Sequence, residues 1–193
     1  MRAELMRQRQ EARREALLDA GIELLGHPEG PAVTLRAVCS AAGLTQRYFY
    51  ESFADRDAYV GAVFDHVASQ AIGVILKAYT YAEGDLNSRA HAVIEAFTEM
   101  IVDHPAAGRV LVLAPFIEPA LGRAGLARVP EFVDLVADGF DAYAEVDDRR
   151  TAAVAAIGAL SSLYASYLDG TLTISRDKLV AGCVKSVLDA GRP

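Results

Sequence analysis

The chain has 193 residues, of which 52% are hydrophobic, and a formal net charge of −7. That length suits one large domain or two small ones with a substantial core, and the acidic balance excludes a protein that binds nucleic acid over its whole surface. Its two cysteines, Cys39 and Cys183, stand far apart, which excludes a disulfide framework or thiolate metal site and suits a reducing compartment.

The first predicted helix covers residues 7–25. Leu17, Ala20, Gly21 and Leu24 trace its inward stripe, and Leu18, Ile22 and Leu25 widen it. Arg2, Arg7, Arg9, Arg13 and Arg14 lie before residue 15, interleaved with Glu4, Glu11 and Glu15. They read either as phosphate contacts with the salt dependence that implies or as a solvated helix face. With Arg36, Arg47 and Arg56 they balance the acidic residues of 1–56, so the whole net charge of −7 falls in 57–193. The charged N-terminus is unlike a secretory leader, and the expected location is cytoplasmic.

A Gly/Pro loop, residues 26–33, leads into the most informative stretch. Thr34 is a suitable N-cap; Leu35, Val38, Cys39 and Ala42 follow at helical spacing. Gly43 supplies a left-handed residue for a tight turn, Leu44 plugs the corner, and Thr45 caps a short helix over 46–52. Phe49 and Phe53, four apart, pack inward. Gln46, Arg47 and Tyr48 stand at the N-terminal tip, where a recognition helix meets base edges; Arg pairs with guanine and Gln with adenine. Cys39, on the apolar face, reads as core. Asp55 caps the next helix, with Arg56 at its start.

Gly43-Leu44-Thr45, Phe49-Tyr50, Phe53 and Arg56, with Thr34-Leu35 before them, resemble the DNA-binding signature of the tetracycline-repressor (TetR) family. There a glycine turn is followed by Ser or Thr, a short helix, a Tyr, a Phe and a basic residue opening the fourth helix. The specific resemblance covers about a quarter of the chain; elsewhere only length and helical character agree. Two departures stand out. Tyr50-Glu51-Ser52 replaces a frequent Tyr-Tyr-His, so an acidic side chain sits near the phosphates unless it points away or pairs with Arg47. Arg47 replaces a common small residue. The DNA-facing set expected from residues and resemblance together is Thr34, Arg36, Thr45, Gln46, Arg47, Tyr48, Tyr50 and Arg56, with Thr34, Thr45, Tyr50 and Arg56 positioning phosphates.

A long fourth helix is predicted over 55–79, able to act as a lever, and broken at Glu83-Gly84. A fifth covers 85–102, and Pro105 opens a short, very apolar sixth over 105–113. Residues 114–129, with Pro115, Pro119, Gly122 and Gly125, read as an irregular connection; Pro130 opens a seventh helix to 144. Asp147 or Asp148 caps an eighth, 149–169, and Ser175 a ninth, 176–190. Thr151 to Leu168 carries no charge and just reaches membrane-span length, but its Ala, Ser and Gly content favours a buried interface helix, and no membrane is expected.

Ala152, Ala156 and Ala159 let helices approach closely, and Leu160, Leu163, Tyr167, Leu179, Cys183, Val184 and Val187 add an apolar face. Two such helices pairing with a symmetry mate would give a four-helix bundle; packing within one chain is the alternative. The resemblance implies dimerisation through this region and an inducer site formed by helices four to eight. Phe64, Phe97, Met100, Phe116, Phe132, Phe140, Tyr143 and Tyr164 are the candidates for an apolar pocket, each equally readable as core. No catalytic constellation, metal spacing or cofactor motif is present in the sequence, and none is expected.

The expected protein is therefore all-α, with about nine helices. A three-helix helix-turn-helix head occupies 1–54, and a helical ligand-binding and dimerisation domain occupies 55–193. The expected function is that of a homodimeric repressor, not an enzyme, that binds a palindromic double-stranded DNA operator and is released by a small-molecule effector. A helical ligand-binding or protein-interaction domain whose turn reads no DNA is the alternative.

Overall fold

A computed structural model describes residues 1–30, 33–140, 142 and 145–192, the side chains of residues 2 and 3 excepted. Among the described residues the chain forms nine α-helices and no strand. α1 (Arg2–Leu25), α2 (Leu35–Ala41) and α3 (Gln46–Ser52) make the head; α4 (Arg56–Tyr81) leads into α5 (Leu86–Asp103) and α6 (Pro105–Val112). A 3₁₀ turn (Ala114–Phe116) precedes α7 (Pro119–Ala137), and α8 (Val146–Leu168) and α9 (Arg176–Ala190) close the chain.

Local capping explains most boundaries. Thr34 Oγ1 accepts the Ala37 N–H at 3.1 Å, Asp55 that of Ala58 at 2.8 Å, Asp85 that of Ser88 at 2.9 Å and Ser175 that of Lys178 at 3.3 Å, each satisfying an otherwise orphaned donor. Gly43 sits at φ +64° between α2 and α3, a conformation costly for any residue with a Cβ. α1 begins five residues before the predicted start, because its polar first turns are built from good helix formers and Arg7 pairs with Glu4 at 2.9 Å.

Other boundaries also differ from expectation, and α7 ends at Ala137, short of the 144 expected for the seventh helix. Residues 114–129 are not an irregular connection: α7 starts at Pro119, capped by Glu118, whose Oε1 accepts the Ala120 N–H at 3.3 Å. Pro119 fills the first helical turn, where no N–H is needed, and Pro130 lies inside the helix instead of opening it. A Cβ at Gly122 would stand 2.9 Å from the Pro115 carbonyl oxygen, so that glycine serves a close approach within the helix. α8 starts at Val146, with Glu145 at the N-cap position. Asp147 and Asp148 therefore lie in the first turn, where their charge favours the helix dipole.

Three apolar clusters hold the chain together. In the first, Leu17, Val38, Phe49 and Phe53 of the head join Tyr59, Val60, Val63 and Phe64 of α4, and continue to Met100, Val110 and Leu121. The core is thus continuous across residues 54 and 55. The second joins Ile94, Ile101, Val112 and Tyr164 to Leu179, Cys183 and Val184; the third gathers Val133, Ala137, Phe140, Ala153 and Ala156. Burial raises the Cys39 thiol's pKa and pushes that of Cys183 up to about 11, so neither is poised as a thiolate. By length and composition alone α4 and α8 could each cross a membrane, with a mean hydropathy of 1.4 over their most apolar stretch. α4 is nonetheless packed against α1, α5, α6 and α7.

Candidate nucleic-acid interface and ligand cavity

The head presents α3 on a brace made by α1. The Arg13 guanidinium lies 4.2 Å from the centre of the Tyr48 ring and Arg14 4.6 Å from that of Phe53; Arg14 Nη1 also donates to the Ser52 carbonyl at 3.4 Å. Cation–π contacts of this kind favour Arg over an aromatic face. Beneath them Phe49, Phe53 and Tyr59 meet at ring-centre distances of 5.0–5.5 Å, and the Tyr59 hydroxyl donates to the Leu17 carbonyl at 2.6 Å. Burial raises the Tyr59 pKa well above its usual value, so the phenol stays a donor.

The structure distributes the predicted DNA-facing residues unevenly. Gln46, Arg47, Tyr50, Thr34, Arg36 and Thr45 are exposed. The Arg47 side chain is 84% exposed, and its Nε donates to Glu51 Oε1 at 3.0 Å, which neutralises the misplaced carboxylate. Thr45 occupies the N-cap position, but its hydroxyl makes no capping bond, so it is available to another acceptor. Tyr48 is half-buried beneath Arg13 and acts mainly as a brace.

Arg56 is also engaged within the chain. Its Nε donates to the Val33 carbonyl at 3.1 Å, and its Nη1 and Nη2 reach Glu118 at 3.3 and 2.6 Å. Arg123 meets Asp57 at 2.6 Å beside it. Three of the five guanidinium N–H donors are thus spent on a strap that ties the start of α4 to Val33 and to the start of α7, which leaves two for the predicted phosphate contact. Its hydrogen bonds to Arg56 hold the Glu118 carboxyl below its ordinary range, and Glu118 raises Arg56 in turn.

The helical body encloses a cavity of about 540 Å³, within the range that holds small-molecule ligands. Phe64, Phe97, Phe116, Phe132, Phe140 and Tyr164 line it. Met100 does not; it is buried in the first cluster, and Tyr143 lies outside the described residues. The sequence reading missed α7's Gly122, Gly125, Leu126 and Val129, and above all Arg89. Arg89 was visible as a lone cation leading the apolar series Val93 and Phe97 at four-residue spacing. At the inner wall the Tyr164 hydroxyl and Thr98 Oγ1 share a bond of 2.7 Å, and Thr98 also donates to the Ile94 carbonyl at 2.6 Å.

The predicted association residues split as well. Ala156, Leu179, Cys183 and Val184 are buried in the chain's own clusters, and Leu160 and Val187 line the cavity. Ala152, Ala159, Leu163 and Tyr167 are half-buried. Beyond its charged and exposed first residues, Val146, Asp147, Asp148 and Arg150, the residues of α8 left to solvent are Thr151, Val154, Ala155, Gly158 and Ser162. α8 lacks a polar stripe to mark its outside, so the sequence could not tell the two faces apart. Among the described residues no group of His, Cys, Asp and Glu is placed to hold a metal ion.

These features define an all-α helix-turn-helix protein with a cavity-bearing helical body. No family model matches the chain and no curated protein does, but solved structures match over nearly its whole length. The fatty acid degradation regulator FadR from Bacillus halodurans superposes with a TM-score of 0.72 at 13% identity, over 91% of this chain and 94% of that one. A TetR-family regulator from Streptomyces coelicolor gives 0.72 at 16% identity, over 93% and 80%. A TetR-family regulator from Marinobacter aquaeolei gives 0.66 at 18% identity, over 95% and 97%. The fold is that of the TetR-family transcriptional regulators.

Proposed function

We propose that the protein is a homodimeric, cytoplasmic transcriptional repressor that reads a palindromic operator and is released by an effector bound in the cavity. The observation that carries this reading is the exposed polar tip Gln46-Arg47 on a helix held rigidly from behind by Arg13 and Arg14. The fold shared with transcriptional regulators supports it. Gln46 and Arg47 face bases; Thr34, Arg36, Thr45 and Tyr50 position the backbone. Residues 1–54 act as the reading unit and 55–193 as the regulatory unit.

Dimerisation is assigned to the uncharged face Thr151, Val154, Ala155, Gly158 and Ser162 of α8, with α9 beside it. Small residues there allow close approach to a symmetry mate. Control follows from two helices that touch both ends of the molecule. α4 lines the cavity through Phe64, Ile75 and Tyr79, and α7 through Gly125, Leu126 and Phe132; the Arg56–Glu118 bridge ties their N-termini together beside the head. An effector that fits only one spacing of α4 and α7 shifts the population of head positions.

The test is selection of bound duplexes from a random pool at physiological salt with the full chain. A palindromic consensus is expected, its spacing reporting the separation of the two heads. Folded protein that enriches no sequence, alone or with an apolar ligand in the cavity, would refute the reading.

A further inference from the structure

Among the described residues, Arg89 is the one charged side chain that lines the cavity. The residue is half-buried; its Nε is sealed from solvent and has no hydrogen-bond partner, and its guanidinium lies 5.7 Å from the centre of the Tyr79 ring. A buried donor without a partner is costly, most of all when it carries charge. Among the described residues no carboxylate stands against it. The other polar groups of the lining are few: Tyr79, Ser161 and Tyr164, and Tyr164 is already bound to Thr98.

The position of Arg89 matters as much as its lack of a partner. Tyr79 and Leu86 are exposed where α4 gives way to α5, and Leu126 and Val129 are exposed on α7; together they mark a mouth. Arg89 lies one helical turn inside Leu86. Val93 and Phe97 continue the same face of α5 inward, so the wall extends about 12 Å beyond Arg89 at 1.5 Å per residue. A cation near the mouth followed by an apolar channel is the complement of an amphiphile with one negative charge at one end.

We propose that the cavity takes an amphipathic monocarboxylate, an alkyl or aryl acid, whose carboxylate is held by Arg89 while its apolar part fills the space toward Phe97 and Phe132. A single guanidinium matches a single carboxylate in a two-pronged bond, and the scarcity of other donors argues against a phosphate or polyol head. The inference rests on the reading of the cavity as the effector site.

Dodecanoate and 1-dodecanol separate the two ideas. Each is titrated by calorimetry at neutral pH into the full-length protein and its Arg89→Gln and Arg89→Lys variants, with melting curves confirming that the variants fold. Wild type is expected to favour the acid over the alcohol by about ten- to a hundredfold, the worth of a hydrogen bond to a charged group. Arg89→Gln should lose that preference while binding the alcohol unchanged, and Arg89→Lys should restore part of it. Equal binding of acid and alcohol by wild type, loss of both by Arg89→Gln, or binding of neither would overturn the proposal. The effector-site reading is judged separately, on the selected operator duplex. It stands if dodecanol alone occupies the cavity and alters DNA affinity, and it falls if an occupied cavity leaves DNA affinity unchanged.

Discussion

The bridge between Arg56 and Glu118 can be weighed directly, because the two possible roles of Arg56 predict different numbers. The Arg56 side chain is 44% exposed and that of Glu118 12%. Open surface pairs contribute about 0.2–1 kcal/mol, and hydrogen bonds to charged groups about 1.5–3 kcal/mol. A two-pronged pair with one member half in water should therefore couple by about 1 kcal/mol. A double-mutant cycle of Arg56→Ala and Glu118→Ala, read by thermal unfolding, isolates that term from the loss of the α7 cap. For a chain of this length it corresponds to about 2–4 °C in Tm. Because Arg56 holds the Glu118 carboxyl below its ordinary range, the contribution is full above the usual glutamate range and disappears as pH falls through the lowered value. In DNA titrations Arg56→Ala should leave the salt dependence intact. Zero coupling in the cycle, together with a slope of log K against log salt smaller by about 0.9, would refute the strap and restore Arg56 to the phosphates.

Arg47→Ala should fold and associate normally, since the side chain is almost wholly in solvent, yet lose about 1–3 kcal/mol of operator affinity in fluorescence anisotropy. Ala155→Glu places a charge on the exposed uncharged face of α8; light scattering should find a monomer with an unchanged helical spectrum. Gly43→Ala forces a Cβ into the left-handed region, though with no neighbour within 4 Å to clash, and should cost about 1–2 kcal/mol in urea unfolding. Thr98→Val removes the Thr98 hydroxyl from the buried Tyr164 phenol and should cost about 1–2 kcal/mol, measured the same way.

What could be read in advance was whatever is decided within a few residues. The caps at Thr34, Asp55 and Ser175 and the turn at Gly43 each depend on a side chain and the next backbone amides, and all four stand where the sequence put them. α7 was illegible for the opposite reason. Its prolines and glycines signal a break locally, but Gly122 answers to the Pro115 carbonyl, 2.9 Å from where its Cβ would be, and Gly125 packs at ordinary contact distance from the Phe64 ring. Pro130 and Leu126 are both exposed, so water can take the helix carbonyl that Pro130 leaves without a donor. The strap made by Arg56 could not be foreseen because its partner lies 62 residues away, a distance no motif spans. The pocket aromatics were found by residue type, whereas Arg89 was passed over because a lone charge on a helix usually means solvent.

Phe64 joins the head to the cavity. It is 3% exposed, belongs to the cluster that contains the head's Leu17, Phe49 and Phe53, and also lines the cavity. A ligand that presses on its ring therefore presses on the same packed unit that carries α3. The core has no break at residue 54 across which the head could swing freely, and close-packed interiors transmit displacement instead of absorbing it. The head should thus move with the first turns of α4 as one body, steered at its far side by α7 through Glu118. This makes the separation of α4 and α7, set where Gly125 meets Phe64, the coordinate on which a bound effector would act.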